Sequence, residues 1–201
     1  MKKILYLHGF ASSGASGTVA LLRREYFDRR SYNKCAVVAP DIPVDAAEAL
    51  PMLKALAEKE RPDLVIGTSM GAMYAQQLRG IKRICINPCF SLSKCYSILS
   101  VGKHKWLNER RDGSVDFHVY KETVRHFAEM EARQFDGLDD YDRTLCFGLF
   151  GTADPIGKES RPVFAAHYPG MDHEFEGGHR MNADLVNSVL FPFIRTYIPE
   201  F

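Results

Sequence analysis

Ser69 stands in Gly67-Thr68-Ser69-Met70-Gly71, directly after an apolar run and directly before a helical pattern. A serine at a strand-to-helix turn takes a strained backbone that lifts its hydroxyl above the sheet, where it can act as a nucleophile. Gly67 and Gly71 let neighbouring backbones approach without Cβ clashes. The helix that follows offers unpaired N–H groups and a positive dipole end where an oxyanion would form, and Met70 is the candidate donor. Composition alone yields this five-residue pattern in roughly one chain in fifteen of this length. Placement between strand and helix therefore carries the argument.

Three further sites belong with it. His8-Gly9-Phe10 ends the first strand pattern. In open α/β sheets, sites lie beyond the strand C-termini where strand order reverses. If the first strand neighbours the Ser69 strand, the Phe10 N–H becomes a second oxyanion donor. His8 is read first as a side chain that hydrogen-bonds and shapes this loop, and second as a pocket residue. Asp154, in Gly151-Thr152-Ala153-Asp154-Pro155, could orient a histidine and stabilise its charged form; the competing reading is an ordinary Asp-Pro turn. His179 follows Gly177-Gly178, a pair that can carry an imidazole inward over a sheet. His167 and His173 fit plain helix and strand positions better. Asp172, His173, Glu174, Glu176 and His179 match no usual ligand spacing, so no metal site is expected.

The elements that must position these residues alternate. Apolar runs at Lys2–Leu7, Cys35–Ala39, Asp63–Gly67, Arg83–Asn87, Thr144–Phe150 and Met171–Glu176 read as strands covered on both faces. Helical patterns lie at Ala46–Lys59, Met70–Leu78, Ser160–His167 and Ala183–Tyr197. This alternation predicts an α/β fold with a doubly wound, mainly parallel sheet. Residues from about Cys89 to Asp142 show no clear strand but a helix near Tyr120–Phe135, and predict a lid-like helical insertion in an otherwise single domain spanning 1–201.

Composition bounds the function classes. The 201 residues suit one domain, and 46% hydrophobic with 25% charged residues is ordinary globular content. A net charge of +1 argues against a nucleic-acid partner. Five cysteines without CxxC pairing predict buried free thiols and a reducing compartment. The opening MKKILYLHGFASSGASG has too short an apolar run for a signal peptide, and no segment approaches the ~20 apolar residues of a membrane span. A cytoplasmic protein is expected, with no membrane partner and its oligomeric state open.

With YLHGFASS, IGTSMGAMYAQQL, INP, FGTADP and EGGHR, the chain resembles the small YqiA-like esterases of the α/β-hydrolase superfamily. Ser69, Asp154 and His179 stand in that superfamily's nucleophile–acid–base order. The resemblance implies a three-layer fold around a six-stranded sheet. It also implies hydrolysis of short or medium acyl esters or thioesters through a Ser-His-Asp triad, without a cofactor. Two alternatives stay open: a non-catalytic small-molecule-binding protein on the same fold, or a peptidase, lactonase or C–C hydrolase using the same residues. Phe90, Leu92, Tyr96, Ile98, Leu99 and Trp106 either line an acyl pocket or pack the insertion onto the domain. Lys103, His104, Lys105, Arg110 and Arg111, around Trp106, are either solvated surface or a site for phosphate or carboxylate groups.

Overall fold

Side chains alternate across a strand, and burial on both faces makes each strand apolar throughout. In strand β1 (Lys2–Leu7), Leu5 and Leu7 join one core cluster while Ile4 and Tyr6 join the other. The computed structural model describes residues 1–28 and 35–201, and these two clusters lie on opposite faces of one sheet. Its other strands are β2 (Cys35–Val38), β3 (Leu64–Thr68), β4 (Lys82–Ile86), β7 (Cys146–Gly151) and β8 (Asp172–Phe175). The order is β2-β1-β3-β4-β7-β8, with every neighbouring pair parallel. All six runs read as strands enter this sheet, and β1 is indeed the neighbour of β3, with Leu7 opposite Gly67.

Helices α2 (Ala46–Glu60), α3 (Met70–Ala75) and α6 (Pro155–His167) contribute to the first cluster. Helices α1 (Gly17–Arg23) and α8 (Phe191–Tyr197) contribute to the second. The C-terminal pattern is broken into α7 (Ala183–Leu185), a wider π-helical turn at Val186–Leu190, and α8. Helix α6 starts five residues before the expected Ser160, because Asp154 caps it and Pro155 occupies its first turn. No helix of the described residues is long and apolar enough to cross a membrane. The five cysteines are all free; Cys95 is half-buried and the other four are buried.

The segment between β4 and β7 departs from expectation. It is not purely helical: β5 (Gly102–Lys105) and β6 (Asp116–Val119) form a two-stranded antiparallel ribbon before α4 (Lys121–Arg133) and α5 (Asp140–Arg143). Lys103 and Lys105 are the exposed residues of β5, while His104 packs its ring on Phe117. The alternation survives, but with no aliphatic side chain to mark the inner face.

One polar cluster fixes this segment to the sheet. Arg83 of β4 is completely buried, and its guanidinium donates to the Asp142 carboxylate at 2.7 Å, the Asp142 carbonyl at 2.8 Å and the Leu78 carbonyl at 3.0 Å. Asp142 also accepts from Arg79 at 3.0 Å and from the Gly80 N–H at 2.8 Å. Removing one partner leaves a buried charge without its counter-ion. Asp142→Ala should therefore lower stability in urea unfolding by about 3–5 kcal/mol, whereas replacing the pair together (Arg83→Met, Asp142→Leu) should recover a large part of that loss.

Candidate active site

Ser69 sits between β3 and α3 at φ 56 and ψ −117, a conformation non-glycine residues rarely adopt. Crowding imposes it. A Cβ at Gly71 would collide with the Leu7 carbonyl oxygen of β1, and one at Gly67 with the backbone of Gly71. The Ser69 N–H is bonded to the Ile86 carbonyl of β4 at 2.9 Å. Met70 opens α3, so its N–H has no acceptor within the helix. The loop after β1 lies in ordinary contact with the serine: a Cβ placed on Gly9 would lie 3.4 Å from Ser69 Cβ. Phe10, next along, rests edge-on against Phe117 of β6 at 5.5 Å between ring centres.

Asp154 lies past the end of β7 and is completely buried, and its two oxygens do different jobs. Oδ1 accepts from the Ile156 N–H at 3.0 Å, capping α6; Oδ2 meets His179 Nδ1 at 2.8 Å. One carboxylate thus both caps a helix and contacts an imidazole. A carboxylate can only accept, so Nδ1 donates and Nε2 is left with its lone pair toward Ser69 Oγ, 2.9 Å away. His179 remains about a quarter exposed, at 27%. The two loops that carry Asp154 and His179 are joined directly by an Ala153 N–H to Gly177 carbonyl bond of 2.9 Å. A Cβ on Gly151 would strike the Gly177 and Gly178 carbonyls, so close packing shapes this junction; neither Gly177 nor Gly178 has a left-handed backbone.

Sequence reasoning missed Asn87. It is fully buried at the end of β4 with φ +45, and its Nδ2 donates to the carbonyls of Gly178 and His179 at 3.0 Å each. Its Oδ1 accepts from the Gly151 N–H at 2.8 Å. One amide therefore ties β4 to both loops. The signal was the Asn-Pro step closing an apolar strand, since asparagine tolerates positive φ better than most residues.

Ser69 and His179 open onto a cavity of about 990 Å³ whose wall includes Phe10, Thr68, Ile98 and His104. Three expected wall residues are not on it. His8 is buried: Nδ1 donates to the Gly9 carbonyl at 2.8 Å and Nε2 accepts from the Ile42 N–H at 2.9 Å. Phe90 is packed among Phe135 and Phe164 in the core. Trp106 packs on Phe117 and under the Arg110 guanidinium, each 4.0 Å away, which fastens the ribbon rather than lining the cavity. Leu92 and Leu99 are core residues and Tyr96 is exposed, so of the six candidates only Ile98 reaches the wall. Nor do the acidic and histidine side chains after Gly170 converge. Asp172 and Glu174 pair with Arg161, while His173 packs on Phe193 and Tyr197.

Residues 3–97 match the model of an uncharacterised protein family, UPF0227, the YqiA-like family, which bears out the resemblance read from the motifs. No curated protein matches significantly. Among solved structures, Est1E from Butyrivibrio proteoclasticus with ferulic acid bound superposes with a TM-score of 0.68 at 14% identity, covering 99% of this chain and 90% of that one. The fold is that of an α/β hydrolase. The esterase domain of a Rhodothermus marinus protein gives a TM-score of 0.62 at 19% identity, covering 98% and 88%. A thioesterase domain from the curacin biosynthetic pathway gives 0.59 at 15%, covering 96% and 91%.

Burial pushes His8 down from 6.5 to about 4, which keeps it neutral in the folded protein. The unfolded chain takes up this proton at higher pH than the folded one. His8 therefore contributes stability that is present above pH 6.5 and lost as pH falls toward 4, amounting to about 3 kcal/mol. Denaturant titrations at pH 7, 5.5 and 4 should show this loss, and His8→Gln, which keeps an acceptor but does not titrate, should flatten it.

Proposed function

We propose that the protein is a serine hydrolase that cleaves carboxylic esters or thioesters through an acyl-enzyme. The observation that carries this reading is the unbroken chain from Asp154 Oδ2 through His179 to Ser69 Oγ, at 2.8 and 2.9 Å, ending in a cavity. His179 Nε2 takes the Ser69 proton as Oγ attacks the substrate carbonyl, while Asp154 holds the tautomer and balances the imidazolium. The Met70 and Phe10 N–H groups receive the oxyanion; such donors are each worth about 2.7–4 kcal/mol in the transition state. His179 then protonates the leaving group, and water, activated by the same nitrogen, releases the acid. Every group in this scheme belongs to the chain, and water is the only co-substrate.

Residues 89–142 act in this reading as a cap on a single domain. Its support is that the Leu107 N–H bonds the Ala11 carbonyl at 2.7 Å and Asn108 Nδ2 bonds Ser12 Oγ at 2.9 Å, tying the cap to the loop that carries Phe10. An esterase domain and a thioesterase domain among the structural neighbours agree with this class of reaction. A binding protein on this fold would need no hydrogen-bonded proton path to the serine.

A fluorophosphonate probe should label the wild type at one site, and intact-mass analysis should show labelling abolished in Ser69→Ala. A folded wild type that stays unlabelled would displace the hydrolase in favour of the binding protein. Against 4-nitrophenyl butyrate, Ser69→Ala should lose about 10⁶-fold in turnover.

Asn87 acts through His179 and Gly151 rather than on the substrate. Asn87→Ala should lower kcat by about 10²-fold, the scale of an ångström-sized misplacement, with KM little changed. A unimodal loss of thermal stability without that split would make Asn87 structural only.

A further inference from the structure

The fold sorts the five basic residues that surround Trp106 in sequence. Arg110 stacks on the Trp106 ring at 4.0 Å, and Arg111 donates to the Ala39 carbonyl at 2.7 Å. Lys103 pairs with Asp116 at 2.7 Å, and His104 Nε2 donates to the Ser100 carbonyl at 2.7 Å. Lys105 is left over. The residue opposite it in the ribbon is Asp116, whose carboxylate Lys103 already engages.

Lys105 lies on the cavity wall, and so does Arg180, which directly follows His179. Among the described residues neither side chain has a hydrogen bond or ion pair, and no aspartate or glutamate lies on that wall. The wall's other polar side chains are neutral hydroxyls and amides, such as Ser12, Ser97, Asn108 and Asn182, apart from the two histidines. The whole chain has 26 lysines and arginines against 25 acidic residues, so this local imbalance is not a reflection of composition. Charges of one sign on the walls of a cleft focus their field into it. A guanidinium offers a carboxylate or phosphate two parallel donors, and an ammonium adds a point charge. Either cation alone on an exposed rim would be worth little; two lining one cavity add their fields within it.

We infer that the cavity selects esters whose non-reacting part carries an anionic group, a carboxylate or a phosphate, held by Lys105 and Arg180. The inference rests on the reading of Ser69 as the nucleophile and adds the charge of the substrate to it. The anion sits on the acyl side or on the leaving-group side of the scissile bond, and two matched pairs of esters tell these apart. Monobenzyl glutarate and its methyl-capped diester differ only in an acyl-side charge. 4-(Butyryloxy)benzoate and its methyl ester differ only in a leaving-group charge.

Ser69→Ala binds such esters without turning them over, so isothermal titration measures their affinity directly. The charged member of at least one pair should bind about tenfold or more tightly than its capped partner, as a charge-assisted contact requires. The preference should shrink in 0.5 M NaCl and vanish when Lys105→Ala and Arg180→Ala are added. Equal affinities within both pairs, or a preference that survives the double change, would overturn the anion site. Failure of the hydrolase reading looks different: the wild type then resists fluorophosphonate and turns over none of the four esters, whatever the titrations show.

Discussion

Beneath Ser69 the backbones of β1, β3 and α3 approach so closely that two positions admit nothing larger than hydrogen. Gly71 faces the Leu7 carbonyl and Gly67 faces Gly71 itself. That contact leaves Ser69 at positive φ, a strain of order 1–3 kcal/mol that the surroundings must hold in place. They do so from several directions. The Ser69 N–H is bonded to β4, and its carbonyl accepts from Ala72 at 3.0 Å, Met73 at 3.2 Å and Cys89 at 3.3 Å. The same approach brings the end of β1, and with it Gly9 and Phe10, beside the serine. The Ser69 backbone geometry and the placement of the proposed oxyanion donors are thus two results of one packing constraint.

Legibility followed the same division. Close-contact glycines, a serine between strand and helix, and apolar runs covered on both faces all leave marks in composition and order. From these the six parallel strands could be read, and so could the three residues that the structure links in series through His179 at 2.8 and 2.9 Å. The ribbon could not. In β5 a glycine, two lysines and a histidine form a strand whose inner face is an imidazole stacked on Phe117, and such a pattern looks like solvated loop. Arg83 was opaque for the opposite reason: a charge inside a strand is tolerated only because Asp142, 59 residues later, returns to meet it. Partners so distant in sequence leave no local trace. For Trp106 and Phe90 the sequence left pocket and packing roles both open, because size and apolarity say that a side chain is covered, without saying by what.

Asp154 and Asn87 show why the loops after β4, β7 and β8 behave as one unit. Asp154 caps α6 with one oxygen and holds His179 with the other, so the start of that helix also fixes the imidazole. Asn87 needs a donor and an acceptor on one short side chain, at a backbone angle that asparagine accommodates. Its amide satisfies the Gly178 and His179 carbonyls, which would otherwise lie against a buried apolar sheet end without partners. Folding energy and the placement of the imidazole are therefore drawn from the same hydrogen bonds. A substitution here changes both, and only a measurement that separates turnover from unfolding can tell the two apart.

The cavity wall is composite, built from the sheet and from the ribbon. Strand ends of the sheet supply Ser69 and His179, which packing and hydrogen bonds hold in place. The ribbon and its flanks supply Ile98, His104, Lys105, Leu107 and Asn108, held to the domain by a few edge contacts such as Leu107 to Ala11 and Asn108 to Ser12. A change of charge or size in the ribbon alters what the cavity admits without disturbing the crossing beneath Ser69. The reverse does not hold, because any side chain added at Gly67 or Gly71 displaces β1 and α3 together. Close packing at the centre of the sheet thus fixes the Ser69 backbone, while the ribbon and its flanks shape the cavity wall above it.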